Sequence, residues 1–245
     1  MRAAIILLGV VFLITLVVRL PARIVSALLP ADVACEAPAG TVWTGSCGEL
    51  RAGTVAITGL SWQLLPAALL HLQLGADLAS QDPAAHGHAR ARLSPGGDVQ
   101  ITGLDATLSL PGELGLVPAG ASANVRLAID SASLQGGQLV ALQGTITLLQ
   151  LHIADPAADL GSFELQFAPP NPNAATGGPM VGQLRDLDGP LSVIGELQLT
   201  RAGSYDLEGS VAPKPDSGAD LAQVLQMLGP PDAQGRRALS IGGTL

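Results

Sequence analysis

Aromatic side chains make up only 2% of this 245-residue chain, and charged ones only 13%. So few charges, beside 30 glycines and 18 prolines, argue against a long helical bundle and for short strands joined by frequent turns. Positive charge is the scarcer sign. The net charge of −8 leaves no basic surface to replace phosphate counterions, which disfavours nucleic acid as a partner. Cysteine is limited to Cys35 and Cys47. A metal site needs more ligands than these two, and no histidine lies near them in sequence. Catalytic motifs are missing too. There is no glycine-rich phosphate loop followed by Lys-Ser or Lys-Thr, no Gly-x-Ser-x-Gly elbow and no His-Glu-x-x-His helix. Neither a cofactor nor an enzymatic activity is expected.

Long hydrophobic runs are absent beyond the first twenty residues. The one present covers residues 3–20. As a helix rising about 1.5 Å per residue it spans roughly 27 Å, close to the ~30 Å of a bilayer core. Arg19, Pro21 and Arg23 stand where a signal-peptide cleavage site would lie. Asp32 makes Cys35 a poor lipoprotein acceptor. The expectation is an uncleaved single-pass anchor and juxtamembrane segment at residues 1–30, in contact with inner-membrane lipid through residues 3–20. Residues 21–29 would form a short interfacial helix stopped by Pro30. Residues 31–245 would form the extramembrane β-rich domain; about 215 residues suffice for one sizeable β domain or two small ones.

Arginines are nearly balanced across the run, Arg2 on one side and Arg19 and Arg23 on the other, so charge barely orients it. The cysteines tip the balance. A close pair beyond a membrane segment points to a disulfide in an oxidising space, worth roughly 3 kcal/mol for so short a loop. The alternative is two buried free thiols.

From residue 31 onward the dominant period is two. Leu60, Trp62 and Leu64 alternate with Ser61 and Gln63. Leu72, Leu74, Ala76 and Leu78 alternate with Gln73, Gly75 and Asp77. Leu104, Ala106, Leu108 and Leu110 do so with polar residues, Val125, Leu127 and Ile129 with Arg126, Ala128 and Asp130, and the same period recurs in Phe163, Leu165 and Phe167, then Leu197 and Leu199, and Tyr205, Leu207 and Val211. Strands buried on one face and wet on the other give this pattern, and antiparallel sheets allow it. The predicted fold is therefore mainly β, a curved and largely antiparallel sheet following a single transmembrane helix.

The phase slips by one at Thr58-Gly59 and again at Thr102-Gly103, inside two similar stretches, Val55-Ala-Ile-Thr-Gly-Leu60 and Val99-Gln-Ile-Thr-Gly-Leu104. Each slip predicts a β-bulge or sharp bend. The similarity is either a weak internal repeat or one bend solved twice. One short C-terminal helix is predicted from the stripe Leu221, Val224, Leu225 and Leu228, ended by Gly229-Pro230-Pro231. Residues 169–179 and 213–218 read as loops.

The best local cluster of functional side chains is His86, His88, Arg90 and Arg92, which share one face of a strand with Ala85, Gly87, Ala89 and Ala91 opposite. Three readings stand: a solvated strand face, contact with a partner or with lipid headgroups, or two metal ligands awaiting a third. His71 and His152 fall on polar phases and read as surface residues. Asp155 and Asp159 flank Pro156 and read as turn residues. Asp186 and Asp188 read as loop residues, too few in oxygens for calcium. Trp43 and Trp62 read as core anchors, with ligand stacking as the alternative.

The stretch Pro21-Ala-Arg-Ile-Val, then Gly40-Thr-Val-Trp-Thr-Gly45, then Leu60-Ser-Trp-Gln-Leu-Leu-Pro66 and Leu69-Leu70 resembles the type II secretion system protein N family. The far end agrees through Leu225-Gln-Met-Leu-Gly-Pro230, Gly235-Arg236 and Ser240-Ile-Gly-Gly243. Gly40, Trp43, Gly45, Leu60, Trp62, Pro66, Leu228, Gly229 and Gly235 carry it. The resemblance implies an inner-membrane, single-pass protein of Gram-negative bacteria whose periplasmic β domain is an accessory part of the machine that exports folded proteins. It implies other secretion subunits as partners and no catalytic residues. A different class competes. A sheet with a continuous apolar face, rooted in a membrane, also resembles AsmA-like periplasmic proteins, and would bind or bridge lipid.

Overall fold

A computed structural model describes residues 15–24, 33–52, 55–111, 121–154, 157–169, 177–215, 217, 219–226 and 228–244. These residues form two compact units, 1–92 and 93–245.

The first unit holds β1 (Val33–Glu36), β2 (Ala39–Gly40), β3 (Thr44–Ala52), β4 (Val55–Leu64), the single-turn helix α1 (Pro66–Leu69), β5 (Leu74–Asp82) and β6 (Ala85–Leu93). Its strands lie in the order β1-β3-β4-β5-β6, with β2 paired to β3. The second unit holds β7 (Val99–Pro111), β8 (Ala121–Gln135), β9 (Gln138–Ala154), β10 (Ala157–Phe167), β11 (Met180–Asp188), β12 (Leu191–Leu199), β13 (Ser204–Pro213), helix α2 (Ala219–Gln226) and β14 (Arg237–Thr244). These strands follow one another in chain order. Pairing within both units is antiparallel, from β1 with β3 to β13 with β14. The mainly β, antiparallel architecture with a short C-terminal helix is thus as the sequence predicts.

Period-two patterning produces this directly. In β8, Ala121, Ala123, Val125 and Ile129 are buried while Ser122, Asn124, Arg126 and Asp130 are exposed. Wet-face charges pair across strands. Arg126 reaches Asp105 at 3.4 Å, and the Arg185 Nε–H donates to Glu164 at 3.0 Å. Such exposed pairs contribute ~0–1 kcal/mol each.

The densest core lies in the second unit. Leu191, Val193, Val211, Leu221 and Leu225 are buried together, with Leu160, Phe163, Leu184 and Leu239 packed against them. Helix α2 supplies two of these side chains, Leu221 (4% exposed) and Leu225 (2%). Its predicted stripe stops there: Leu228 lies beyond the helix and is exposed.

Away from α2 the apolar face is less covered. Leu127, Ile146 and Leu165 stand side by side across three strands, and Leu184 continues the row into the core under α2. All four are only half-buried.

The two phase slips are bends at glycine. Gly59 and Gly103 have φ of +64° and +59°, a region costly for residues with a Cβ. The strands nonetheless run through, and β4 and β7 keep one register with β3 and β8 on either side of the glycine. At the first bend the Thr58 N–H donates to Asp82 Oδ2 at 2.9 Å.

The structure differs from the sequence reading in three further places. Leu72 is outside the strand it was expected to join; β5 begins at Leu74, and both leucines are exposed. Asp186 and Asp188 end strand β11 rather than occupying a loop. Pro21, expected to open an interfacial helix, makes a β-bridge to Thr41, and the described helical residues of that segment are 23 and 24. Residues 25–30 of that segment lie outside the described residues, as do residues 3–14 of the apolar run. Residues 15–18 are helical. Among the described residues no helix is long and apolar enough to cross a membrane.

Candidate functional site

The first group of sequence-selected residues converges on one end of β3 and β4, where the chain arriving from the apolar run is fastened. The Val42 N–H donates to the Leu20 carbonyl at 2.9 Å, and the Ala22 N–H to the Gly40 carbonyl at 3.1 Å. Ala22 is buried. The Trp43 indole N–H donates to the Val17 carbonyl at 2.9 Å. That carbonyl lies in the last turn of a helical segment, where it also accepts the Leu20 N–H at 3.4 Å, and the indole is its closer donor. Trp62 acts likewise, its indole donating to the Val42 carbonyl at 3.0 Å. Both tryptophans are half-buried, so each is a hydrogen-bonding bracket as much as a core anchor.

Gly45 makes the bracket possible. It pairs with Trp62 across the ladder. A Cβ there would meet the Ala39 and Thr41 carbonyl oxygens at 2.8 Å each, besides the Trp62 ring. The chain reverses through residues 41–44, where the Thr41 N–H donates to the Thr44 carbonyl at 2.9 Å. Leu60 pairs with Cys47 on the same ladder, and Pro66 opens α1 two residues after β4 ends.

Cys35 and Cys47 are joined in a disulfide across 12 residues, with Cα atoms 5.7 Å apart. Cys47 is 1% exposed. The bond ties β1 to β3 beside the bracket.

His86, His88, Arg90 and Arg92 lie exposed along β6, with Ala85, Gly87, Ala89 and Ala91 half-buried between them. Arg90 is engaged by Asp77 through two bonds, Nε to Oδ1 at 2.6 Å and Nη2 to Oδ2 at 3.2 Å. These hydrogen bonds hold the Asp77 carboxyl below its ordinary range. Among the described residues no three His, Cys, Asp or Glu side chains are grouped to hold a metal ion. His152, the other strand histidine, contacts Asp159 through Nδ1 at 2.8 Å.

The second group sets the last strand in place. Gly229 follows α2 with φ +94°, a left-handed helix end that favours glycine. Its carbonyl accepts from Arg237. Asp232 organises the next turn, its Oδ1 accepting from the Gln234 N–H at 2.9 Å and the Arg236 N–H at 2.8 Å. Gly235 completes that turn, its N–H donating to the Asp232 carbonyl at 3.0 Å. Arg236 then donates to Ser210 Oγ at 2.8 Å and to the Ser210 carbonyl at 3.2 Å. The result is β14, paired along its length with β13. Among the described residues its other edge carries no strand.

Sequence reading missed three features. One is the long-range role of Asp186, whose Oδ1 accepts from the Val193 N–H at 2.8 Å and whose Oδ2 meets Lys214 at 2.8 Å. Burial alone would raise this carboxyl, but the bonds from Lys214 and Val193 outweigh it and the net shift is downward. Another is the exposed leucine tip between β4 and β5. Pro66 at a helix start was its only local signal. The third is a cavity of about 260 Å³ with mixed walls, Asp130, Gln143, Gln166 and Gln183 on the polar side and Phe167, Ala168 and Pro169 on the apolar.

A family model described as type II secretion system (T2SS), protein N, matches residues 31–240. The type II secretion system protein N of Aeromonas hydrophila is 26% identical over 253 residues, covering 96% of this chain and 95% of that protein. The type II secretion system protein N of Pectobacterium carotovorum subsp. carotovorum is 26% identical over 232 residues, covering 92% and 90%. No solved structure matches the chain.

Proposed function

Because the chain belongs to the type II secretion system protein N family, we propose that it serves this secretion machine as an inner-membrane docking subunit. In this reading residues 3–20 cross the inner membrane once, residues 31–245 lie in the periplasm, and the protein acts by contact with other secretion subunits. The observation that carries it is the edge of β14, an eight-residue strand with one paired side among the described residues. Unpaired N–H and C=O groups on such an edge accept a strand from a partner. The disulfide supports the compartment, since such bonds persist in oxidising spaces. The test is a photo-crosslinking amino acid at Ile241 in cells carrying the assembled apparatus. Adducts with other secretion subunits are expected. Their absence, with the same label at Leu239 also silent, would overturn the reading.

A second reading rests on the half-covered row Leu127, Ile146, Leu165 and Leu184. An apolar face only half-covered by the described residues suits acyl chains, as in an AsmA-like lipid carrier. Lipid extraction from the purified full chain decides it: co-purifying phospholipid at a fixed ratio favours the carrier, and none removes it.

A further inference from the structure

We propose that the leucine tip between β4 and β5 is a second membrane contact, inserting into the headgroup–acyl boundary of the bilayer that residues 3–20 cross. The inference rests on the anchor reading above. Leu69 is 41% exposed, Leu70 84%, Leu72 79% and Leu74 50%. Four large aliphatic side chains within six residues face outward together, which marks an interaction surface rather than scattered surface apolarity. Residues 65–76 contain no Asp, Glu, Lys or Arg, and His71 is their one titratable side chain. Nothing charged would have to be dehydrated for the tip to enter lipid.

The conformation is built rather than loose. The His71 and Gln73 N–H groups both donate to the Ala68 carbonyl at 3.0 Å, and the Leu72 N–H donates to the Leu69 carbonyl at 3.0 Å. The Leu65 N–H closes the tip on the Gly75 carbonyl at 2.8 Å. Leu72 has φ +57°, a left-handed conformation that disfavours residues with a Cβ. Such a backbone persists where surrounding bonds over-determine it, and here it turns the side chain out.

Placement selects lipid as the occupant. The Leu64 N–H donates to the Trp43 carbonyl at 2.7 Å, and the Trp43 indole donates to Val17. One residue of the bracket thus touches both the apolar run and the strand that leads into the tip. Where residues 3–20 meet the bilayer surface, residues 69–74 are close by. A half-buried indole at that level matches the interfacial preference of tryptophan, and apolar side chains lying at the interface add area-dependent binding.

The test uses the full chain reconstituted into phosphatidylcholine–phosphatidylglycerol vesicles whose acyl chains carry a nitroxide quencher. Single cysteines are introduced as Leu72→Cys, Leu16→Cys and Ala84→Cys and labelled with an environment-sensitive fluorophore; the native cysteines are bonded to each other. Ala84 lies past the far end of β5, roughly 30 Å along the strand from Leu74. Quenching at 72 comparable to that at 16, with none at 84, is the expected result. Quenching at 16 alone would overturn the tip contact and leave the anchor standing. Quenching at none of the three would remove both. Blue-shifted but unquenched emission at 72 would assign the tip to a protein partner and overturn lipid.

Discussion

Removing the disulfide should loosen one strand far more than the whole protein. In the double variant Cys35→Ala/Cys47→Ala the chain loses a covalent loop spanning 12 residues, worth about 3 kcal/mol in the chain-entropy account. Where that energy is lost depends on what else holds β1. The strand has four residues and pairs only with β3 among the described residues. Ala34 and Glu36 are exposed, and Val33 and Cys35 only half-buried. Ordering each residue's backbone costs ~1–2 kcal/mol, and four such residues have little buried surface to offset it. The cross-link therefore decides whether β1 stays in place. Hydrogen–deuterium exchange read by mass spectrometry, on the full chain in detergent, should show residues 33–36 exchanging about a hundredfold faster in the variant, the equivalent of 3 kcal/mol. Strands β12 and β13, built into the Leu191–Val193–Val211 core, should be unchanged. Equal exchange of β1 in both proteins would refute the reasoning. Whole-cell alkylation provides the companion measurement: the native thiols should stay unreactive until a reductant is added.

Three further outcomes are expected. Leu225→Ala, at a side chain 2% exposed against the core of the second unit, should cost ~2–5 kcal/mol in chemical denaturation, whereas Leu228→Ala should change stability by less than about 0.5 kcal/mol because its side chain is exposed. Gly45→Ala drives a methyl into two carbonyl oxygens and should cost ~1–3 kcal/mol or more, with faster proteolysis around residues 15–24 as the local sign. Asp186→Asn keeps an acceptor for the Val193 N–H but removes the charge facing Lys214. Because the native carboxyl is shifted downward, its stabilisation is present above its unfolded pKa of about 3.9 and disappears as pH falls through the lower folded value. The stability gap between native and variant should be constant near neutrality and close in acid; a gap that widened in acid would contradict the sign.

How much of this was legible in the sequence follows the range of each interaction. Alternation in residues 121–129 is a local signal, and it gives β8 and its buried face directly. The stripe of Leu221 and Leu225 is local as well. Glycines 59 and 103 were legible because a change of phase within a strand must be absorbed at one residue. Leu72 misled because it continues the same alternation as Leu74, Ala76 and Leu78, and period alone does not say where a strand begins. The run from Arg185 to Gly189 reads as polar loop. Only the fold reveals that Asp186 caps the Val193 N–H and Asp188 the Ser162 N–H. The bracket was least legible of all. Trp43 and Val17 are 26 residues apart, and the acceptor is a backbone carbonyl, which leaves no trace in side-chain chemistry.

The two terminal edges of the described strands are treated differently, and the difference bears on docking. An open edge is a liability that proteins blunt with short strands, charges and covering elements. Strand β1 carries such protection: it is four residues long, tethered by the disulfide, and bears Glu36 paired with Arg51 at 3.6 Å. Strand β14 carries little. It runs for eight residues, has no charged side chain after Arg237 and no proline, and leaves Ile241 47% exposed. At the same time its position is fixed by Arg236 on Ser210 and Arg237 on the Gly229 carbonyl. An edge that is held in place yet uncovered by the described residues is costly for a chain that works alone, because it invites unselected strand pairing. It is coherent for a subunit whose edge is covered once the secretion machine assembles. That contrast favours β14 over β1 as the docking edge.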